Sequence, residues 1–167
     1  MRYFHNSKVE GLRLENTPRY VQPLGPKPRG FWFDVDGDWL RWVLGEGYET
    51  DGSWHKPYWY EIVLPPRLCY VGSVAALDEF TKFYAVPIHE APPAVNQYQI
   101  DWPRLAAEFD GIVIAPYQWS RRNSLMWYYG WDCASGCIWL NQDRVEIKRV
   151  AVEVVRGLAV GQRPGPV

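Results

Sequence analysis

Arg2-Tyr3-Phe4-His5-Asn6-Ser7 and Gly30-Phe31-Trp32-Phe33 are the two segments from which the fold is best predicted. Each contains a short run of aromatic residues, a composition typical of β-strands. A histidine ends the first run, and a glycine precedes the second. This order predicts a pocket with one polar hydrogen-bonding ring and one flat aromatic wall, which suits a nicotinamide or a nucleobase. Whether the pocket carries chemistry depends on what the far end of the chain supplies.

The rest of the chain is predicted to form short strands with few helices between them. Strands are predicted at 58–64, 68–71, 112–115, 126–131 and 137–140, with a tight turn at 132–136, and helices at 39–44, 74–84 and 102–109. Ser73 and Asp101 are expected to cap the second and third helices. Apolar residues continue to alternate with polar ones over residues 145–158. The pattern predicts one α+β domain over residues 1–160, with two packed, mainly antiparallel sheets and two or three short helices, followed by a flexible tail at 161–167.

The composition is that of an ordinary globular protein with an excess of aromatic residues. The 167 residues are 47% hydrophobic and 22% charged, and the net charge is −1. A charge so close to zero argues against a broad electrostatic surface for duplex nucleic acid, although a local basic groove stays compatible with it. The 10 Trp and 11 Tyr can fill a core or build stacking pockets. The sequence has no Gly-x-Gly-x-x-Gly motif and no Walker loop, so a Rossmann or P-loop domain is not expected.

The cysteines and the hydropathy pattern indicate a compartment. Three Cys, an odd number, with no secretory signal pattern at the start, predict a cytoplasmic protein. No apolar run approaches the roughly 20 residues of a membrane span, so no membrane partner is expected. Zinc sites use four ligands, and no His flanks the Cys133-x₃-Cys137 pair, so no metal is predicted and these cysteines are expected to be small buried apolar residues.

Two polar segments have more than one interpretation. Arg121 and Arg122, with Gln118 nearby, suit a clamp for a phosphate or a base, because guanidinium groups pair with phosphate oxygens and stack on aromatic rings. The alternative is a solvated loop that is anchored by its aromatic residues. Residues 34–38 (Asp-Val-Asp-Gly-Asp) look like a cation loop but lack the spacing and terminal Glu of an EF-hand, so a turn that leads into a capped helix is favoured.

Phe4-His5-Asn6-Ser7 is similar to the first strand of the ADP-ribosyltransferase superfamily, whose members split NAD at the bond between nicotinamide and ribose. The resemblance implies that His5 holds the ribose, with Asn6 standing where the family usually has Gly. Gly30-Phe31-Trp32-Phe33 is similar to the second motif of the family, which implies that Trp32 stacks on the nicotinamide. Residues 110–114 are similar to an inner strand of bacterial members. The implied contacts to NAD are made by His5, Asn6, Ser7, Gly30, Phe31 and Trp32.

Residues 137–145 are similar to the last catalytic strand of the family and the segment after it. In the family a Glu just before this strand stabilises the oxocarbenium ion that forms when nicotinamide leaves. Here that place falls on Gly136, so the resemblance implies that Asp132 or Ser135 takes over, with Gln118 and Cys133 behind them. Asp132 is expected to stabilise the cation. Arg121 and Arg122 are expected to contact the pyrophosphate or the target.

The function implied by the resemblance is NAD-dependent transfer of ADP-ribose to a macromolecule, with nucleic acid slightly favoured over protein as the acceptor. Three alternatives stay open. A binding module for NAD, ADP-ribose or a nucleotide would keep the fold without the chemistry, and the missing Glu favours it. An enzyme like the RNA 2′-phosphotransferases would also use NAD, although three His are few for that reaction. The last alternative is a purely structural interaction domain.

Overall fold

The structure, a computed structural model, describes residues 1–14, 20–48, 56–65, 67–88 and 98–161. The strands are β1 (Tyr3–Ser7), β2 (Leu24–Gly25), β3 (Phe31–Val35), β4 (Tyr58–Val63), β5 (Leu68–Val71), β6 (Ala85–Pro87), β7 (Tyr98–Asp101), β8 (Gly111–Ile114), β9 (Ser135–Ile138) and β10 (Glu146–Val150). The helices are α1 (Asp38–Gly45), α2 (Val74–Tyr84), α3 (Trp102–Glu108) and α4 (Val152–Gly161).

The strands form two sheets. One has seven strands in the order β10-β4-β1-β3-β9-β8-β5, and the other has three in the order β2-β7-β6. Every pairing is antiparallel except that of β5 with β8. The prediction of an α+β fold with two mainly antiparallel sheets is confirmed. The predicted two or three helices were too few, since the described residues contain four.

Two groups of buried side chains cover opposite faces of the seven-stranded sheet. Tyr3 packs against the larger group and Phe4 belongs to the smaller, and successive strand residues point to opposite faces. The larger group joins both sheets, because it includes Ile100 of β7 and Ile112 of β8. The smaller group joins β1 and β4 to helices α1 and α4, through Phe4, Leu40, Trp59, Val155 and Ala159.

The helices with clear capping residues were predicted best. The Ser73 side chain accepts a hydrogen bond from the Ala76 N–H, so α2 begins where predicted. The Asp101 side chain accepts from the Arg104 N–H, and Pro103 lies in the first turn of α3, where its missing N–H costs nothing. In the part of the chain that the structure describes, none of the helices is long and apolar enough to cross a membrane.

The strand predicted at 126–131 was wrong. These residues form consecutive turns, in which Tyr128 N–H donates to the Leu125 carbonyl and Trp131 N–H to the Tyr128 carbonyl. The Trp127, Tyr128 and Trp131 rings are nevertheless buried. Burial of these rings in the core therefore outweighs the preference of Trp and Tyr residues for β-strands.

The carboxyl-terminal third also differs from the prediction at two places. Ser135 and Gly136 were placed in a tight turn, but they begin β9, which ends at Ile138. Residues 145–158 were expected to alternate throughout, but β10 ends at Val150 and α4 follows it. The predicted tail began one residue early, since Gly161 belongs to α4, and residues 162–167 lie outside the described part.

Candidate functional site

A cavity of about 350 Å³ lies where three neighbouring strands of the large sheet meet. The first segment of sequence supplies His5 on β1, the second supplies Trp32 on β3, and the start of β9 supplies Ser135. These strands lie side by side in the order β1-β3-β9. The fold therefore brings together the three segments from which the site was predicted. Trp39, Trp59 and Trp131 add aromatic walls.

His5 lies where the backbone ladder between β1 and β3 stops. The ladder pairs Tyr3 with Val35 and Phe4 with Asp34, and both strands are described in full. Beyond that pair, His5 Nδ1 lies 2.7 Å from the Trp32 carbonyl oxygen. A carbonyl oxygen only accepts, so Nδ1 carries a proton and donates it. The ring also packs on Phe31 with centroids 4.3 Å apart, which fixes its orientation.

The charge state of His5 leaves one ring nitrogen as an acceptor. Burial lowers the pKa of His5 below its ordinary value, although the bond to the Trp32 carbonyl opposes this and the Lys56 charge adds to it. The imidazole is therefore neutral near pH 7, and Nε2 has a lone pair. No described residue donates a hydrogen bond to Nε2. His5 can thus accept a hydrogen bond from a ligand hydroxyl.

Trp32 is half-buried and forms one wall of the cavity. Its ring meets the edge of the Trp131 ring at a centroid distance of 5.0 Å. Lys27 Nζ lies 5.4 Å from the Trp32 ring centroid, a cation–π distance. Lys56 lines the cavity as well. The cavity thus combines flat rings with two ammonium groups, neither of which was singled out from the sequence.

Asn6 lines the cavity, but its side chain is engaged in hydrogen bonds that join β1 to the Lys56 backbone. Its amide donates to the Lys56 carbonyl at 2.7 Å, and its Oδ1 accepts from the Lys56 N–H at 2.8 Å. This pair of bonds fixes Lys56 next to β1. Ser7 is buried outside the cavity lining, where its Oγ accepts from the Val9 N–H at 3.0 Å.

Gly30 and Phe31 act in packing rather than at the cavity surface. Phe31 is buried beneath His5. A Cβ atom on Gly30 would lie 2.3 Å from the Ile138 carbonyl oxygen, so only glycine allows β3 and β9 to approach this closely. Both residues therefore position His5 and Trp32 without lining the cavity themselves.

Asp132, Cys133 and Ser135 line the cavity just before and at the start of β9. The Asp132 carboxylate pairs with Arg122 Nη2 at 3.1 Å. Ser135 Oγ donates to the Cys133 carbonyl at 3.0 Å. Burial raises the pKa of the Cys133 thiol, which is therefore neutral and a poor nucleophile.

Gly136 has no room for any side chain. A Cβ atom there would lie 2.4 Å from Phe33 Cζ and 2.4 Å from the Ile112 carbonyl oxygen. Phe33 is the register partner of Gly136 on β3, and its ring occupies the space that a side chain would need. A carboxylate therefore cannot be accommodated at the position where the resemblance places the family Glu.

The three residues expected at a phosphate or acceptor lie outside the cavity lining. Gln118 is buried, and its Nε2 donates to the Pro116 carbonyl at 2.8 Å. Arg121 forms a two-pronged ion pair with Asp78 of α2, with both N–O distances at 2.6 Å. Arg122 donates to Tyr117 Oη and Asp132, so it touches the site only through Asp132. The basic residues that line the cavity are Lys27 and Lys56 instead.

Asp34 is the acidic residue that sequence reasoning missed. It lines the cavity and is 4% exposed. Residues 34–38 were predicted to form a turn before a capped helix, which is partly right, because Asp34 Oδ2 accepts from the Trp39 N–H at 3.0 Å. The missed signal was the two-residue spacing from Trp32, which puts both side chains on one face of β3.

No family model matches this chain, and neither the curated proteins nor the solved structures contain a match to it. Among the described residues, no group of three or more His, Cys, Asp or Glu side chains could hold a metal ion.

Proposed function

We propose that this protein is an NAD-dependent ADP-ribosyltransferase whose reaction takes place in the β1-β3-β9 cavity. One observation carries the proposal: a neutral His5, oriented by its bond to the Trp32 carbonyl, lines a cavity walled by Trp32 and has an acceptor nitrogen with no partner among the described residues. A hydroxyl next to a flat aromatic ring is the ligand that matches this pair. The nicotinamide-ribose end of NAD has both.

The cavity suits the reactive end of NAD in size and charge. Its volume of about 350 Å³ lies near the lower limit of small-molecule sites, so we place the nicotinamide and its ribose inside and the adenosine outside. The nicotinamide would stack on Trp32 while a ribose hydroxyl donates to His5 Nε2. Lys27 and Lys56 would pair with the pyrophosphate.

The chemistry needs a site that excludes water and tolerates positive charge. As the bond between C1′ and nicotinamide breaks, the electron pair leaves with the nicotinamide and C1′ becomes cationic. The rings of Trp39, Trp59 and Trp131 would keep bulk water from this cation. A macromolecular nucleophile, from a nucleic acid or a protein, would then attack C1′.

Nicotinamide release from NAD by the purified protein tests this proposal. Reactions with RNA, DNA and a protein mixture, and without any acceptor, would run in parallel. Release that depends on one of these acceptors supports the transferase and names its target class. Absence of release under all four conditions contradicts the proposal.

A binding module for NAD or ADP-ribose is the second candidate. The observation that favours it is the closed space at Gly136, where no side chain can supply the family carboxylate. Calorimetric titration with NAD separates the two candidates. Binding without nicotinamide release favours the module.

A further inference from the structure

We propose that Asp34, on β3, supplies the carboxylate that stabilises the ribose cation and takes the proton from the acceptor. This inference rests on the function proposed above. It assigns the acid of the site to the strand that carries the aromatic wall, rather than to the segment before β9 where the resemblance places it.

The position of Asp34 in the sheet is the first observation. Its register partners are Phe4 on β1 and Ser135 on β9, so it lies between the two strands that flank the cavity. Trp32 lies two residues away on the same strand, so the two side chains share a face. A ring stacked on Trp32 therefore has its attached ribose within reach of the Asp34 side of the cavity.

The hydrogen bonding of Asp34 is the second observation. Oδ2 accepts from the Trp39 N–H, which anchors the carboxyl group to the first turn of α1. Oδ1 is buried and has no hydrogen-bond partner among the described residues. A buried carboxyl oxygen without a partner is costly, and such groups are rare in folded proteins. A ligand in the cavity would provide the missing partner.

The other acidic groups near the cavity are already engaged. Asp132 is paired with Arg122. Asp38 is paired with Arg41, and its Oδ2 accepts from the Ala134 N–H at 2.7 Å. Within the described ranges no cation forms an ion pair with Asp34. When ionised, Asp34 can therefore direct its charge at a bound cation.

The electrostatic surroundings of Asp34 suit a group that binds and releases a proton near neutral pH. The pKa of Asp34 is raised to about 8, mainly by burial; the Trp39 amide and the Arg41 charge lower it, and the Asp38 and Asp36 carboxylates raise it. Lys27, Lys56 and Asp132 also line the cavity. His5 and the Cys133 thiol, which also line the cavity, are neutral.

The proposed step balances without a further reactant. The positive charge of the bound nicotinamide favours ionised Asp34. The bond between C1′ and nicotinamide breaks, its electron pair leaves with neutral nicotinamide, and the carboxylate stabilises the cation at C1′. The acceptor then forms a bond to C1′ and passes its proton to Asp34, which releases the proton to solvent when the product leaves.

Asp34→Asn tests the proposal with the smallest change of shape. The amide oxygen can still accept from the Trp39 N–H, so the variant should fold, which its thermal unfolding would verify. We expect kcat for nicotinamide release to fall by about 100-fold or more, while the Kd for NAD changes by less than about threefold. The matched control is Asp143→Asn, the same change at an exposed acid outside the cavity lining. This control should keep wild-type kcat.

The pH dependence of kcat/KM for the wild-type protein is a second test of the role of Asp34, and it needs no variant. Ionised Asp34 is the active form, so kcat/KM should rise with pH as Asp34 loses its proton near its pKa of about 8. His5 cannot cause this rise, because burial places its pKa below the ordinary value. A flat profile between about pH 6 and pH 9 would overturn the assignment.

The outcomes separate this inference from the function on which it rests. An active wild type with an equally active Asp34→Asn variant overturns the role of Asp34 and leaves the transferase standing. A wild type that releases no nicotinamide with any acceptor overturns both. Loss of kcat in Asp34→Asn, with NAD binding and folding retained, supports both.

Discussion

The β1-β3-β9 cavity and the loop between β8 and β9 are both rich in aromatic and polar side chains, but they use their polar groups differently. In the cavity, His5 Nε2 and Asp34 Oδ1 have no partner among the described residues. In the loop, Arg121 is held by Asp78 and Arg122 by Asp132. The cavity therefore differs from the loop in its unused hydrogen-bonding capacity, not in its composition.

The composition of this loop explains why a phosphate or base clamp was predicted there. Trp119 is 64% exposed, and the Arg122 guanidinium lies 5.9 Å from its ring centroid. Adjacent arginines and aromatic rings are typical of a phosphate or base clamp. The same residues are equally suited to brace a loop, and the ion pairs show that they do so here.

The largest effect is expected at His5. His5→Ala removes the acceptor nitrogen and the bond to the Trp32 carbonyl, so nicotinamide release should fall by about 100-fold or more while the fold is retained. Steady-state release rates and thermal unfolding would measure both quantities. Wild-type rates in the variant would show that the cavity is not where NAD is cleaved.

Gly136 gives the next largest effect, on stability. Gly136→Ala places a methyl group against Phe33 Cζ and the Ile112 carbonyl oxygen, and it should lower the free energy of unfolding by about 3 kcal/mol. The matched control is Gly157→Ala in α4, where nothing lies within 4 Å and alanine should add about 0.5 kcal/mol or more. Urea unfolding of both variants makes the comparison, and equal stabilities would mean that β3 and β9 are less tightly packed than described.

Lys27 and Arg121 test which cations bind the pyrophosphate. Lys27→Gln removes an ammonium group that lines the cavity, and the Kd for NAD should rise about tenfold. Calorimetric titration measures this change, and thermal unfolding serves as the control for folding. An unchanged Kd would remove Lys27 from the proposed contacts.

Arg121→Gln is the counterpart in the loop and should have the smallest effect. Its guanidinium is engaged with Asp78, so the Kd for NAD should match the wild type and thermal stability should drop only slightly, because exposed ion pairs contribute little. The same titration and unfolding measurements apply. A large loss of NAD affinity would reverse the contrast between cavity and loop.

Local signals in the sequence were enough to predict much of the fold. Helix α2 was predicted within its observed bounds because Ser73 caps it and Leu77, Phe80 and Tyr84 recur at helical spacing. The failures have a common cause in tertiary packing. The aromatic run at 126–131 has strand preference, but its rings fill the core from a series of turns, which no local pattern shows.

The sequence predicted only those cavity residues that lie on, or next to, neighbouring strands of the sheet. His5 and Trp32 were chosen from two strand-like segments, and the sheet places those segments side by side. Asp34 was missed because its burial depends on α1 packing against the sheet. Lys56 reaches the cavity because Asn6 holds its backbone across 50 residues of sequence, a contact that spacing alone cannot predict.

A crystal structure with a non-cleavable NAD analogue tests the central claim most directly. We expect the nicotinamide ring against Trp32, a ribose hydroxyl on His5 Nε2 and Asp34 facing C1′. An analogue bound instead at Trp119 and Arg122 of the β8–β9 loop, with the β1-β3-β9 cavity empty, would contradict it.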